Sequence, residues 1–148
     1  MKKILLGIVF ISVSLFGNEI EISPKVGVSF VKINEIEENG EKIDMVGTIV
    51  NVGLDGIKDN FLVGMNFEIL TNDEDRAISL HGIVYKNDIL TSKYNCGLGV
   101  EVGRVGWDLL YDYVNYITPK VSFIYNRNLM LDIKKREDDF ILTVSYSF

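Results

Sequence analysis

The chain has a single cysteine, Cys96, a single histidine, His81, a single tryptophan, Trp107, and only two prolines, Pro24 and Pro119, in 148 residues. One thiol excludes an intramolecular disulfide, so the fold must be held by burial and backbone pairing. One cysteine with one histidine cannot supply the ligand set of a structural zinc site, and no metal or cofactor is expected. After residue 18 no apolar row of period 3.6 is long enough to make a helix. Basic residues are outnumbered, 15 against 21, for a formal net charge of −6, which argues against nucleic acid as a partner.

The one long uncharged run lies at the start. Lys2-Lys3 precedes Ile4 to Phe16, and Gly17 and Asn18-Glu19 follow. A basic stretch, a short apolar stretch and a small residue at the boundary predict a secretory signal peptide over residues 1–17. Gly17 suits the cleavage position and Ser14 is the rival. As a helix the apolar run would reach about 20 Å, short of the ~30 Å hydrocarbon core, so a retained anchor is the weaker reading. No cysteine follows it to carry a lipid. Removing Lys2 and Lys3 with no acidic residue takes the net charge from −6 to −8 for residues 18–148, enough for one domain.

What is abundant is alternation of period two. Rows recur at Lys25–Ile33, Met45–Leu54, Phe61–Ile69, Ala77–Tyr85, Tyr94–Gly103, Trp107–Tyr113, Lys120–Tyr125, Leu129–Lys135 and Asp139–Phe148. Asn39-Gly40, Asp55-Gly56 and Asn126-Arg127-Asn128 read as turns, and both prolines are placed at strand starts. One face of each row is apolar and carries aromatics, including Trp107, Tyr113, Tyr125, Tyr146 and Phe148. The other collects Gly27, Gly47, Gly53, Gly64, Gly97, Gly99 and Gly103, and with them Lys25, Glu68, Glu101, Asp108, Asp112, Lys120, Asp132 and Lys134. A solvent-facing sheet has little reason to select glycine, which weakens strands. A narrow barrel interior does, because few large side chains fit and charges can pair across the lumen.

In the last row Phe140, Leu142, Val144, Tyr146 and Phe148 share one face. This stretch resembles the closing strand of bacterial outer-membrane β-barrels, and the whole pattern resembles the small eight-stranded OmpX-like and opacity-protein-like group. The resemblance implies an all-β, antiparallel, up-and-down membrane-spanning barrel over residues 18–148 in the bacterial outer membrane. It implies outer-membrane lipids and the barrel-insertion machinery as partners, with Leu142, Val144, Tyr146 and Phe148 as the signal that machinery reads. Nine rows conflict with the even strand number of such barrels. Eight strands are expected, with one weak row, Ala77–Tyr85 or Leu129–Lys135, merged or misread; ten are the alternative, with an extra strand in Glu19–Ser23 or Ile89–Lys93.

Ser79 and His81 share a face near Glu68 and Glu101, which invites a Ser-His-carboxylate hydrolase; polar lumen residues explain them better. Asp108 and Asp112, on one strand, would point inward about 13 Å apart, too far for a glycosidase pair. Ion pairs with Lys120 or Lys134 are expected instead, in a lumen network of Glu68, Glu101, Asp108, Asp112, Lys120, Asp132 and Lys134. Thr71 to Asp75 could hold Ca²⁺ loosely but lacks the EF-hand spacing and glycine, so a solvated turn is expected. Cys96 reads as a small hydrophobe, and Gly97-Leu98-Gly99 opens no helix and is no dinucleotide fingerprint. The expected protein is a non-enzymatic barrel with a structural or surface-interaction role and a lumen filled by its own side chains. The alternatives are a narrow porin-like channel with an acidic, cation-favouring lumen, and a soluble lipocalin-like binder with the two faces reversed. Deleting Phe148 is expected to lower the amount of heat-modifiable barrel in the outer-membrane fraction, read on gels of boiled and unboiled samples; unchanged assembly would remove the signal assignment.

Overall fold

The computed structural model describes residues 20–36, 42–70, 76–108, 112–136 and 139–148. Eight antiparallel strands follow one another around a closed barrel: β1 (Glu21–Ile36), β2 (Lys42–Lys58), β3 (Phe61–Leu70), β4 (Arg76–Tyr85), β5 (Tyr94–Asp108), β6 (Asp112–Tyr125), β7 (Leu129–Arg136) and β8 (Asp139–Ser147). Closure comes from β1 on β8, with Lys25 opposite Ser147 through Lys32 opposite Phe140. Among the described residues no helix is long and apolar enough to cross a membrane, which says nothing against crossing with strands. The expected export segment, the Asn39-Gly40 turn and Thr71 to Asp75 lie outside the described residues.

Eight strands rather than nine result because the misread row is Trp107–Tyr113, which is not a strand of its own; the suspected rows Ala77–Tyr85 and Leu129–Lys135 are both full strands, β4 and β7. Trp107 and Asp108 end β5, Asp112 and Tyr113 begin β6, and Asp108 stands opposite Asp112 in the ladder. The expected 13 Å separation along one strand is therefore wrong: the two backbones are cross-strand neighbours, and their side chains lie outside the described residues. Period-two counting cannot see a reversal when the residues around it are also apolar or aromatic. The turn expected at Asp55-Gly56 is likewise displaced. The strand runs on to Lys58, and the chain reverses at Asp59-Asn60, where Asp59 takes a positive φ of 52°, a conformation Asp tolerates better than most residues. At Asn126–Asn128, Asn126 and Arg127 both have positive φ and Asn128 N donates to Tyr125 O at 3.2 Å, the features of a type I′ hairpin turn.

The prolines also sit deeper than expected, inside β1 and β6. Each stands one residue past the end of a ladder. Pro24 precedes the Lys25–Ser147 pair, and Pro119 precedes the Lys120–Lys134 pair. The Pro24 carbonyl, on the side facing β8, accepts from Phe148 N at 2.9 Å. A missing N–H breaks no rung where the ladder has already stopped.

The two faces of the wall are opposite in chemistry. Outward residues are apolar along about nine residues of each of several strands, from Ile22 to Phe30, Tyr94 to Val102, Ile117 to Tyr125 and Phe140 to Phe148. That is the length a tilted strand needs to cross a bilayer. Leu98 is 70% and Ile117 76% exposed, while inward Glu101 and Glu68 are 0% and 1% exposed. The reversed arrangement of a soluble, apolar-ligand barrel is thereby overturned. Tyr94, Tyr125, Tyr146 and Phe148 ring the end that carries the short turns, with Tyr94 and Tyr125 rings 5.0 Å apart. At the other end the outward series passes into Lys32, Arg76 and Lys135, long cations that can hold their heads in the polar interface. Placing a charge at Val100, in the middle of the band, is expected to cost ~2–4 kcal/mol for Val100→Arg at the bilayer midplane, measured as a shift in urea unfolding from lipid vesicles; a neutral result would remove the lipid-facing assignment.

Candidate functional site: the charged lumen

The lumen is built by inward glycines flanked by larger residues. Asp55, Gly64, His81 and Glu101 occupy one row across β2, β3, β4 and β5. Residues two strands apart are about 9.6 Å apart at the backbone, yet His81 Nε2 lies 3.0 Å from Asp55 Oδ1. The two meet over Gly64, where an added Cβ would collide with Asp55 Oδ1 and the His81 ring. Gly97 plays the same part between Tyr85 and Ser122, whose hydroxyls lie 2.6 Å apart. A Cβ on Gly97 would lie 2.8 Å from the Tyr85 ring. The glycines are gaps that let side chains reach across a strand.

Two ion-pair clusters occupy this space. In the first, Lys25 Nζ lies 2.8 Å from Asp55 Oδ1, and His81 Nε2 reaches the same oxygen. Asn66 Nδ2 lies 3.5 Å from His81 Nδ1. The tautomer with its proton on Nε2 satisfies both ring nitrogens, donating to Asp55 and accepting from Asn66. In the second, Lys134 Nζ bridges Glu68 Oε1 at 2.8 Å and Glu101 Oε1 at 2.8 Å. Arg136 Nη2 contacts Glu68 Oε2 at 2.9 Å and Glu101 Oε1 at 3.3 Å, and its guanidinium lies 4.0 Å from the Tyr116 ring centroid. The Tyr116 hydroxyl donates to Glu101 Oε1 at 3.0 Å. Lys120 Nζ lies 2.8 Å from Asp132 Oδ2 and 3.8 Å from Glu101 Oε2. Lys120 and Lys134 are direct cross-strand partners, a like-charge pair that would repel without Glu101 between them.

The structure thus brings Glu68, Glu101, Lys120, Asp132 and Lys134 together and leaves the Asp108 and Asp112 side chains outside the described residues. Lys25, on the inward face from the sequence, and Asp55, His81 and Arg136 complete the clusters. Asp55 was missed because Asp-Gly imitates a turn, and Arg136 because it follows the last clear apolar residue of β7. In both cases the parity of the row continues, which is the signal that finds them. Among the described residues the buried lumen charges are Lys25, Lys120, Lys134 and Arg136 against Asp55, Glu68, Glu101 and Asp132. These eight balance four to four, and the Asp108 and Asp112 side chains, on which the expected acidic, cation-favouring lumen also rests, lie outside the described residues. Among the described residues His81 is engaged by Asp55, and Ser79 Oγ makes no hydrogen bond to it. Among the described residues no group of metal-ligating side chains is assembled.

The inner face also holds apolar residues that the reading of small and charged positions did not combine. Ile57, Leu62, Ile83, Tyr85, Ile124 and Met130 cluster at the short-turn end. The β4–β5 loop turns into them: Ile89, 0% exposed, joins the cluster and its N–H donates to Asp59 O at 2.8 Å. Val31, Ile49 and Ile141 form a second apolar patch beyond the charges. On the outside, Leu142, Val144, Tyr146 and Phe148 form one column on β8, with Tyr146 and Phe148 edge to face at 5.2 Å. Cys96 is a free, outward-facing thiol. Removing Lys134 leaves Glu68 in contact with Arg136 alone, and Glu101 with Arg136, the Tyr116 hydroxyl and the more distant Lys120. Lys134→Met is expected to destabilise the barrel by about 3–5 kcal/mol, and adding Glu101→Gln is expected to recover part of the loss in the same denaturation assay.

No protein-family model matches the chain, and no curated protein matches it in sequence. Among solved structures, the chain is similar to one described as a de novo design of transmembrane β-barrels, with a TM-score of 0.52 at 9% identity over 85% of this chain and 95% of that one. A second match is Ail, the attachment invasion locus protein of Yersinia pestis, solved with the heparin analogue sucrose octasulfate, with a TM-score of 0.41 at 14% identity over 88% of this chain and 99% of that one. Closed meander, inverted polarity and the match to the designed barrel agree on one architecture: the fold is that of an eight-stranded transmembrane β-barrel.

Proposed function

We propose that this chain is an integral outer-membrane barrel, not an enzyme and not a channel, acting in the structure of the envelope or through its exposed loops. The observation that carries this reading is the set of side chains that meet across the lumen. Eight strands leave an interior that side chains can fill. Here two ion-pair clusters cross it, and an apolar floor with the tucked Ile89 lies at the short-turn end. An ion entering would have to displace side chains that already neutralise one another. The same reading gives the outward column Leu142, Val144, Tyr146 and Phe148 to the insertion machinery and the apolar band to lipid.

The orientation follows from the general plan of such barrels, with short turns toward the periplasm and the opposite loops toward the exterior. The turns at Asp59-Asn60 and Asn126–Asn128 would then be periplasmic. The ends of β1, β2, β5 and β6 opposite them would extend outward; these strands run to 16, 17, 15 and 14 residues against 8 to 10 for the others.

Reconstituted into planar bilayers, the protein is expected to give no discrete conductance steps. The outer-membrane fraction is expected to contain a band that shifts on boiling. Discrete, ion-selective steps from the wild-type barrel would replace this reading with a narrow channel, and an unshifted band in a soluble extract would remove the membrane assignment.

A further inference from the structure

On the outer wall at the short-turn end, an open groove of about 340 Å³ runs over β5, β6 and β7, with Asn87 of the β4–β5 loop at its edge. Its walls include Tyr94, Cys96, Phe123, Tyr125, Leu129 and Leu131, and Asn87 and Asn95 lie at its margin. The volume is within the range of small-ligand sites. Single exposed apolar residues are what any lipid-facing wall presents. An open trough over three neighbouring strands is different, because it offers one chain a continuous line of apolar contact.

The groove has a built rim. Asn95 ties the loop to β5: its Oδ1 accepts from Asn87 N at 3.1 Å and its Nδ2 donates to Asn87 O at 2.5 Å. Asn126 N donates to Lys93 O at 2.8 Å, which fastens the same loop to the β6–β7 turn. The Lys93 ammonium lies 5.7 Å from the Tyr94 ring and 5.7 Å from the Tyr125 ring. Both contacts are within cation–π range and place the charge beside two of the rings that line the groove. An apolar trough ending in a fixed cation at an aromatic belt complements one kind of molecule, an amphipath with a hydrocarbon tail and an anionic head.

We infer that this groove is a specific site for one anionic phospholipid of the periplasmic leaflet. An acyl chain lies along Phe123, Leu129 and Leu131, and the headgroup phosphate meets Lys93. The inference rests on the membrane-barrel reading above. The leaflet follows from the position of the groove at the short-turn end, and the anionic head from the sign of the charge there.

The test is native mass spectrometry of the full barrel in detergent, with phosphatidylglycerol or phosphatidylcholine titrated in. Each variant is first checked for heat-shifted migration. Wild type is expected to retain one phosphatidylglycerol at concentrations where phosphatidylcholine is lost. Lys93→Glu, a change on an exposed loop, is expected to weaken that retention about tenfold, the size of reversing one interfacial charge. Leu131→Trp, which fills the groove, is expected to abolish it for both lipids. Retention equal in wild type, Lys93→Glu and any folded Leu131→Trp would overturn the site, and so would no retention at all. Should Leu131→Trp fail to fold, Lys93→Glu alone decides. A wild-type chain without the heat shift would instead remove the membrane reading, and the inference with it.

Discussion

Everything in this barrel depends on a backbone that leaves no hydrogen-bonding group facing hydrocarbon. In lipid an unpaired N–H or C=O costs several kcal/mol, so a sheet can exist there only if its first and last strands pair. The β1–β8 ladder does that, from Lys25–Ser147 to Lys32–Phe140. Closure then dictates the remaining features. Side chains must divide between lipid and lumen, prolines must stand beyond ladder ends, and eight strands leave an interior only a few side chains wide.

The narrow interior sets a second condition, on volume. Direct neighbours in a row cannot all be large, and the chain answers with glycine between bulky partners: Gly64 between Asp55 and His81, Gly97 between Tyr85 and Ser122. Each gap brings together groups from strands that do not pair with each other. Buried ion pairs are weak evidence of net stability, since desolvation offsets much of their attraction. Their use here is geometric. Lys134 satisfies Glu68 and Glu101 together, and these come from β7, β3 and β5, so a slipped ladder would strand a carboxylate among apolar neighbours. A slip by one residue would also turn every charge toward lipid.

Much of this was legible in the sequence, because alternation writes both faces directly into the chain. Val26 to Phe30 and Phe140 to Phe148 could be assigned to the lipid side residue by residue. The inward placement of Glu68, Glu101, Lys120, Asp132 and Lys134 followed from the same parity. What parity cannot encode is where the chain reverses, so Trp107–Tyr113 looked like a strand and Asp55-Gly56 like a turn. It also carries no information about which inward residues meet. The apolar floor is the clearest instance: Leu62 and Met130 belong to two separate hairpins, β2–β3 and β6–β7, and only closure of the barrel places them in one cluster. The β4–β5 loop that adds Ile89 has no periodicity to read at all.

The alternation has a consequence for the chain before it folds. With a polar or small residue at almost every second position of a strand, apolar side chains are diluted along the backbone, and no strand is uniformly hydrophobic. Anything that senses hydrophobicity along an extended polypeptide meets an ordinary polar polymer. The oily exterior comes into being only when Val26, Val100, Phe123 and Val144, drawn from four separated segments, are gathered on one side of a closed wall. For this molecule, affinity for lipid is an outcome of folding, so chain and solvent can part only at the moment the cylinder shuts.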